Sequence, residues 1–144
     1  MRKSFIVILS ILFSTSVIAQ KPDAILGTWS PSKGDAQIKI ERSGNKYHGT
    51  ISWLKEPFDP DSKKPKVDKN NPEKSQQNKP IVGLRLLKDL VFDEDEWTDG
   101  TVYDPESGKI YSCTVSLKDA NTMDMRGYIG FSLIGRSEIW TRVQ

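Results

Sequence analysis

The chain has 144 residues, of which 28% are charged and 36% are hydrophobic, and it contains one cysteine. This length suits one domain with a real core, and a single cysteine excludes an intrachain disulfide. Two of the 21 basic residues, Arg2 and Lys3, stand at the very start, which leaves 19 basic against 19 acidic residues elsewhere. A balanced charge without a basic stripe argues against nucleic-acid binding.

Residues 1–19 have the pattern of a secretory signal peptide. Two basic residues precede an apolar run over 5–13, and the small residues Val17 and Ala19 end the segment. We therefore expect cleavage after Ala19, which leaves 20–144 as a single soluble domain in the periplasm or outside the cell. The apolar run is shorter than the roughly 20 residues that cross a bilayer, so we expect no membrane span in the mature chain.

The mature chain begins with short alternating runs, and it has no sustained helical stripe. This pattern predicts an all-β fold. In chain order, the first candidate strands are 26–29, 36–41 and 47–53. In the third strand, alternation places Tyr47, Gly49, Ile51 and Trp53 on one face. His48 falls on the opposite, polar face, so an exposed histidine is favoured over a metal ligand or a base.

Residues 55–80 interrupt the strands with a polar segment that contains five prolines. A loop of this length inside a compact domain is either functional or flexible. Within it, Asp59–Lys64 resembles the later segment Asp104–Lys109, because both begin with Asp-Pro and have serine at the fourth position. We interpret the two segments as the same turn used twice, which predicts a small hairpin inside the loop.

The second half of the chain supplies five more candidate strands, at 81–92, 97–104, 110–117, 122–129 and 137–143. Eight strands with short connections predict a single antiparallel up-and-down β-barrel, with the polar loop over one end. Such a barrel holds either packed side chains or one small ligand.

The two ends of the mature chain carry a complementary pair of motifs. Gly27 and Trp29 lie on the first strand, and Trp140 and Arg142 lie on the last, so barrel closure makes them neighbours. An arginine can stack on an indole and donate to nearby carbonyls. The arrangement resembles the Gly-x-Trp and late-arginine signature of lipocalin-like (calycin) barrels, which implies a structural role in closing the barrel.

The chain from 25 to 143 also resembles the exported bacterial family known as domain of unknown function 2147. The matching motifs, in order, are Trp53–Pro57, Asp68–Pro72, Asp99–Pro105, Gly108–Tyr111, Arg126–Gly130, Gly135-Arg136 and Trp140–Arg142. The resemblance implies a lipocalin-like barrel in an envelope protein and no established activity, so it implies no catalytic residue. Lys63 stands where the family tends to have glycine. This departure bears on how tight the Asp-Pro turn over 59–64 is, and it leaves the expected fold unchanged.

Two groups of residues are candidates for ligand binding. The first is polar and could orient a ligand at the barrel mouth, although a turn aspartate and packed tyrosines are the favoured interpretation. The second surrounds the apolar connection 130–135, which could cap the barrel, line a ligand entrance or contact a partner. The candidates are Asp99, Tyr103, Asp104 and Tyr111 in the first group, and Arg126, Tyr128, Phe131 and Arg136 in the second.

Chemistry other than binding has little support in the sequence. We expect no metal, no cofactor and no catalytic residue, and we favour Cys113 as a core filler over a reactive thiol. An enzyme that uses Asp99, Tyr103, Asp104 or His48 is the least favoured hypothesis.

The leading hypothesis is an exported module that binds a small apolar or amphipathic molecule. The alternative is an envelope protein that binds another protein and whose barrel is filled. A cavity of roughly 300 Å³ or more would favour a ligand. A core packed by Trp53, Tyr111, Val115 and Met125 would favour a protein partner.

Overall fold

The computed structural model describes residues 20–128 and 135–144. Eight antiparallel strands close into one barrel in sequence order, and the first strand pairs with the last. The strands are β1 Gly27–Pro31, β2 Ala36–Ser43, β3 Lys46–Leu54, β4 Arg85–Asp93, β5 Glu96–Asp104, β6 Lys109–Asp119, β7 Thr122–Tyr128 and β8 Gly135–Arg142. Two 3-10 helices, Pro22–Ile25 and Lys74–Gln76, complete the secondary structure of the described residues. The predicted all-β barrel is therefore confirmed.

The two ends of the barrel differ in how they are covered. We call the end with the 3-10 helix 22–25 the plugged end, and the end with the connections 32–35, 55–84 and 105–108 the mouth end. At the plugged end, the indole of Trp97 donates to the carbonyl of Pro22 at 3.0 Å, and that of Trp29 donates to Ile25 at 2.9 Å. These bonds hold the short helix across the opening, where Ile25 is fully buried.

The barrel interior is filled from the plugged end to the middle. Every second side chain of a barrel strand points inward, and here these side chains pack together in a core whose residues are all buried. This core contains Ile25, Trp29, Ile38, Ile40, Tyr47, Leu87, Leu90, Trp97, Cys113, Val115, Met123, Met125 and Trp140.

Trp53 lies on the outside of the barrel, so its predicted place in the core is wrong. The pairing of β2 with β3 shifts register between Gln37 and Ile38, since Gln37 pairs with Trp53 and Ile38 pairs with Ile51. This irregularity adds one residue to β3 and reverses the alternation that follows. Leu54 consequently packs against the core, and Trp53 is 43% exposed.

The fourth strand begins later than the sequence predicts. Residues 81–84 form a turn, in which the amide of Leu84 donates to the carbonyl of Ile81 at 3.0 Å. The strand starts at Arg85. Just before it, the carbonyl of Leu84 accepts from the amide of Ile51, which ties the end of the loop to β3.

The long loop has the small hairpin that its internal repeat predicts. Phe58 pairs with Pro65, and the amide of Lys63 donates to the carbonyl of Asp59 at 2.9 Å. In the later copy, Gly108 donates to Asp104 at 2.8 Å. Lys63 and Gly108 both have positive φ, at 58° and 71°, so the lysine occupies a left-handed position that favours glycine.

The second part of the loop is fastened to the outer wall of the barrel, whereas the sequence places the loop over one end. Tyr103 points outward from β5, and its hydroxyl donates to the carboxylate of Asp68 at 2.7 Å. Asn71 donates to the same carboxylate at 2.7 Å, and Asp68 is only 1% exposed. Asn70 donates to the carbonyls of the β5–β6 turn. We call the Asp68–Tyr103 contact the loop latch.

Within the described residues, no helix has the length and apolar character needed to cross a membrane.

Candidate functional site

The complementary motifs at the two ends of the barrel sequence meet at the plugged end. The guanidinium of Arg142 lies 4.3 Å from the ring centroid of Trp29 and donates to the carbonyls of Leu26 at 2.6 Å and Ala24 at 2.7 Å. Gly27 has a φ of 122°, and a Cβ there would stand 2.7 Å from the guanidinium. Arg142 thus ties the first strand, the last strand and the plug together, which is the contact that the sequence predicts.

Trp140, the fourth residue of that predicted closure, has a different environment. It points into the core from β8, opposite Met123, and is 2% exposed. Its indole Nε1 is buried and has no acceptor among residues 20–128 and 135–144. An indole N–H in a protein interior normally finds a partner, so this unpaired donor is an exception within the filled core.

The predicted polar cluster does not assemble into one site. Tyr103 is held by the loop latch, and Asp104 accepts from the amide of Glu106 at 2.9 Å and from the hydroxyl of Ser107 at 2.6 Å. Asp104 is therefore a turn residue, as the favoured interpretation has it. Asp99 lies at an irregularity of β5, with a φ of 59°, and points away from the interior.

Tyr111 belongs to an accessible inner layer at the mouth end. The register places Val102 opposite Tyr111, and Gly127 opposite both Cys113 and Arg136. Because Cys113 belongs to the core, this row faces the interior. Val102, Tyr111 and Gly127 are nevertheless only half-buried, and Arg136 is exposed. Solvent therefore reaches the inner wall here, immediately above the filled core.

Glu138 adds a second charge to this inner layer. It pairs with Met125, a core residue, and therefore also faces inward from β8. Its carboxylate accepts from the hydroxyl of Ser32 at 3.4 Å, which brings the β1–β2 connection to the same rim. The inner layer of the mouth, defined by Val102, Tyr111, Gly127, Arg136 and Glu138, thus combines an apolar wall with one cation and one anion.

The other two described candidates lie on the outside of the barrel. The guanidinium of Arg126 stands 5.3 Å from the ring centroid of Tyr128. Tyr128 and Asp99 line a shallow outer groove of about 350 Å³, together with Gly100, Thr101, Ser112, Cys113 and Thr114. The volume exceeds the 300 Å³ that would favour a ligand, but the groove is an open surface feature and not the barrel interior. Phe131, the last candidate, lies outside the described residues.

The structure also shows the surroundings of Cys113, the predicted core filler, and of His48, a residue of the least favoured enzyme hypothesis. Burial raises the pKa of the Cys113 thiol to about 12, so it stays protonated and unreactive. Nδ1 of His48 accepts from the amide of Asp89 at 3.2 Å, at a bulge of β4. Burial, followed by the charge of Arg85, lowers the pKa of His48 below its ordinary value of 6.5, which suits this acceptor role.

Sequence reasoning missed Asp68, Glu138 and the unpaired indole of Trp140. Arg136, Glu138 and Trp140 are every second residue of one strand and share a face, so the period of two could have predicted that Glu138 points inward. Asp68 had no such signal, because the loop around it has no periodicity. In the described part of the chain, no three His, Cys, Asp or Glu side chains gather as metal ligands.

The closed eight-stranded barrel, the short helix that plugs one end and the arginine stacked on the first-strand tryptophan define a lipocalin-like β-barrel. A similar solved structure is protein HP1028 from the human pathogen Helicobacter pylori, which belongs to the lipocalin family. It matches with a TM-score of 0.69 and 20% sequence identity over 83% of this chain and 82% of that chain.

The chain belongs to the family of uncharacterized proteins conserved in bacteria known as DUF2147, whose family model matches residues 27–142. This confirms the resemblance found in the sequence. None of the curated proteins matches the chain.

Proposed function

We propose that this protein is an exported binding module that holds a small amphipathic molecule in the mouth of its barrel. The observation that carries the proposal is the accessible inner layer above a filled core, with Arg136 on its wall. A guanidinium suits a carboxylate or a phosphate, and Val102 with the ring of Tyr111 offers apolar contact. The lipocalin-like fold supports this class of function by analogy alone.

The filled core limits which molecules fit. Below the inner layer, Cys113, Met125 and Trp140 are 2%, 6% and 2% exposed, so a long chain has no room to descend. The ligand is therefore short, or it inserts only one end. Its polar end lies beside Arg136, on the wall of the inner layer.

A protein-binding module with a filled barrel is the alternative. Val115 and Met125 do fill the core, as that alternative requires. Trp53 is 43% exposed and Tyr111 is only half-buried, although both would have to pack inside. The accessible inner layer favours the small ligand.

The ligand proposal is tested with hexanoic acid, a short amphiphile with a carboxylate, whose binding is measured by isothermal titration calorimetry. Arg136→Gln should weaken its binding on the order of tenfold, since a hydrogen bond to a charged group contributes about 1.5–3 kcal/mol. Arg126→Gln is the matched control, because Arg126 is also exposed but lies on the outer face of β7. Binding that is equally weakened by both variants, or that is the same for the methyl ester, would refute the mouth site.

Export is part of the proposal, and the pattern of residues 1–19 supports it. Protein recovered from the periplasm or the medium should have the intact mass of a chain that starts at Gln20. A full-length chain in the cytoplasmic fraction would contradict export without touching the ligand site.

A further inference from the structure

The exposed large hydrophobic side chains of the described residues all lie at the mouth end or on its long loop. Isolated exposed hydrophobic residues are ordinary on a protein surface, but their confinement to one end is not. The exposed fractions are 43% for Trp53, 57% for Phe58, 38% for Val67, 41% for Val82 and 64% for Ile110.

Backbone contacts of the loop connect the segments that carry three of these side chains, Trp53, Val67 and Val82. Val67 pairs with Pro80, two residues before Val82, and the amide of Gly83 donates to Ile51, two residues before Trp53. On the other side, the loop latch holds the neighbour of Val67 against β5. The part of the loop that carries Val67 and Val82 is therefore fastened to the strands at the mouth end.

The rim of the mouth end also carries an excess of basic residues. The connection 55–84 has seven lysines and five acidic residues. Of these acids, Asp68 is buried in the latch and Glu56 pairs with Lys66 at 3.8 Å. At the plugged end, four consecutive acids, 93–96, surround the β4–β5 turn. The 19 basic and 19 acidic residues of 20–144 balance, but the connection 55–84 has two more lysines than acids, and the β4–β5 turn is wholly acidic.

We propose that the mouth end docks onto an anionic lipid bilayer, with Trp53 and Phe58 among the headgroups and the loop lysines above the lipid phosphates. Aromatic side chains settle at the membrane–water interface, and lysines near an anionic surface strengthen binding. The acidic turn at the plugged end is repelled, which orients the barrel with its mouth toward the lipid. Lysine is depleted in protein–protein interfaces, so the combination fits a bilayer better than a protein partner.

This docking does not depend on whether the mouth holds a ligand, and the two are tested separately. The chain has four tryptophans. Three of them, Trp29, Trp97 and Trp140, are at most 2% exposed, whereas Trp53 is accessible. Trp53 is therefore a built-in reporter. With vesicles of phosphatidylglycerol and phosphatidylcholine, its emission should shift to shorter wavelength and become protected from acrylamide.

Matched charge variants test the orientation. Lys64→Gln/Lys79→Gln removes two exposed lysines from the rim, and Lys21→Gln/Lys118→Gln removes two exposed lysines from the plugged end. The first pair should weaken vesicle binding on the order of tenfold or more, and the second should change it less than about twofold. Trp53→Ser/Phe58→Ser should also weaken binding, and urea unfolding checks that each variant is folded.

Salt supplies an independent readout, because the Debye length falls from about 8 Å at 0.15 M to about 3 Å at 1 M. Binding should be lost at high salt and should be absent with phosphatidylcholine alone. Equal losses for the two lysine pairs, or binding that ignores lipid charge, would overturn the proposal. No vesicle binding, with Trp53 instead protected by a purified envelope protein, would overturn it in favour of a protein partner.

Discussion

The loop latch should contribute a measurable part of the stability of the barrel. The hydroxyl of Tyr103 donates to Asp68 at 2.7 Å, and the two residues are 8% and 1% exposed. A hydrogen bond to a charged group contributes about 1.5–3 kcal/mol, and an unpaired buried group adds a similar desolvation cost. We expect Tyr103→Phe and Asp68→Ala each to lower the free energy of unfolding by about 2 kcal/mol.

A double-mutant cycle separates this bond from other effects of the two substitutions. Once one partner is gone, the second substitution removes little more, so the double variant should lose about 3 kcal/mol rather than the sum. Urea unfolding followed by tryptophan fluorescence measures each value, with unchanged slopes. Losses that add within about 0.5 kcal/mol would refute the latch as an energetic contact.

The plugged end supplies a control pair of the same chemistry. Tyr47 donates to Asp23 at 2.7 Å, but Asp23 is exposed and also accepts from Arg42 at 2.9 Å. After Tyr47→Phe, the carboxylate of Asp23 still contacts water and Arg42. The coupling free energy between Tyr47→Phe and Asp23→Ala should therefore be less than about 1 kcal/mol. A coupling equal to that of the latch would mean that burial of Asp68 is not what matters.

The same bond predicts a loss of stability in alkali. Burial, followed by the hydrogen bond to Asp68, raises the pKa of Tyr103 from 10.0 to about 12. Between these two values the folded protein holds a proton that the unfolded chain releases. The contribution of Tyr103 to the free energy of unfolding is therefore present below pH 10 and is lost as the pH rises through about 12. Tyr103→Phe should flatten part of this decline.

Other predictions follow from single contacts. Arg142→Ala should lower the urea midpoint at constant slope, by about 1–2 kcal/mol of unfolding free energy, and an unchanged midpoint would contradict the closure role. The lowered pKa of His48 means that its contribution to the free energy of unfolding is present above pH 6.5 and is lost as the pH falls below it. His48→Asn, whose amide oxygen stands where Nδ1 accepts from Asp89, should reduce this acid sensitivity in pH-dependent unfolding. Lys63→Gly should stabilise the protein by about 1 kcal/mol, because the glycine at 108 already occupies the equivalent left-handed position; a lower thermal midpoint would refute this.

The sequence predicted the plugged end well because several local signals agree there. Trp29 and Arg142 stand on strands that any closed barrel must bring together, so topology and residue chemistry give the same answer. At the mouth end, the repeated Asp-Pro turns were predicted equally well, because a turn is specified by a few adjacent residues. Each of these contacts joins residues that are close in sequence or that closure of the barrel makes neighbours.

The mouth end was predicted less well, for two physical reasons. One added residue in β3 moved Trp53 outward, and a single irregularity of this kind has no sequence marker. The latch between Asp68 and Tyr103 joins residues 35 positions apart across a loop without periodicity. A Gly-Ser bridge over 59–75 would shorten this loop, but it would also remove Asp68 and therefore the loop latch.

That shortened protein distinguishes a structural loop from a functional one. If the latch is the loop's main contribution, the bridge should cost about the same as Asp68→Ala, and adding Tyr103→Phe should cost little more. The shortened chain also loses Val67 and five loop lysines, so vesicle binding should fall while the barrel stays folded. A barrel that unfolds would make the loop part of the core. A folded barrel that binds vesicles as before would move the docking surface away from the rim.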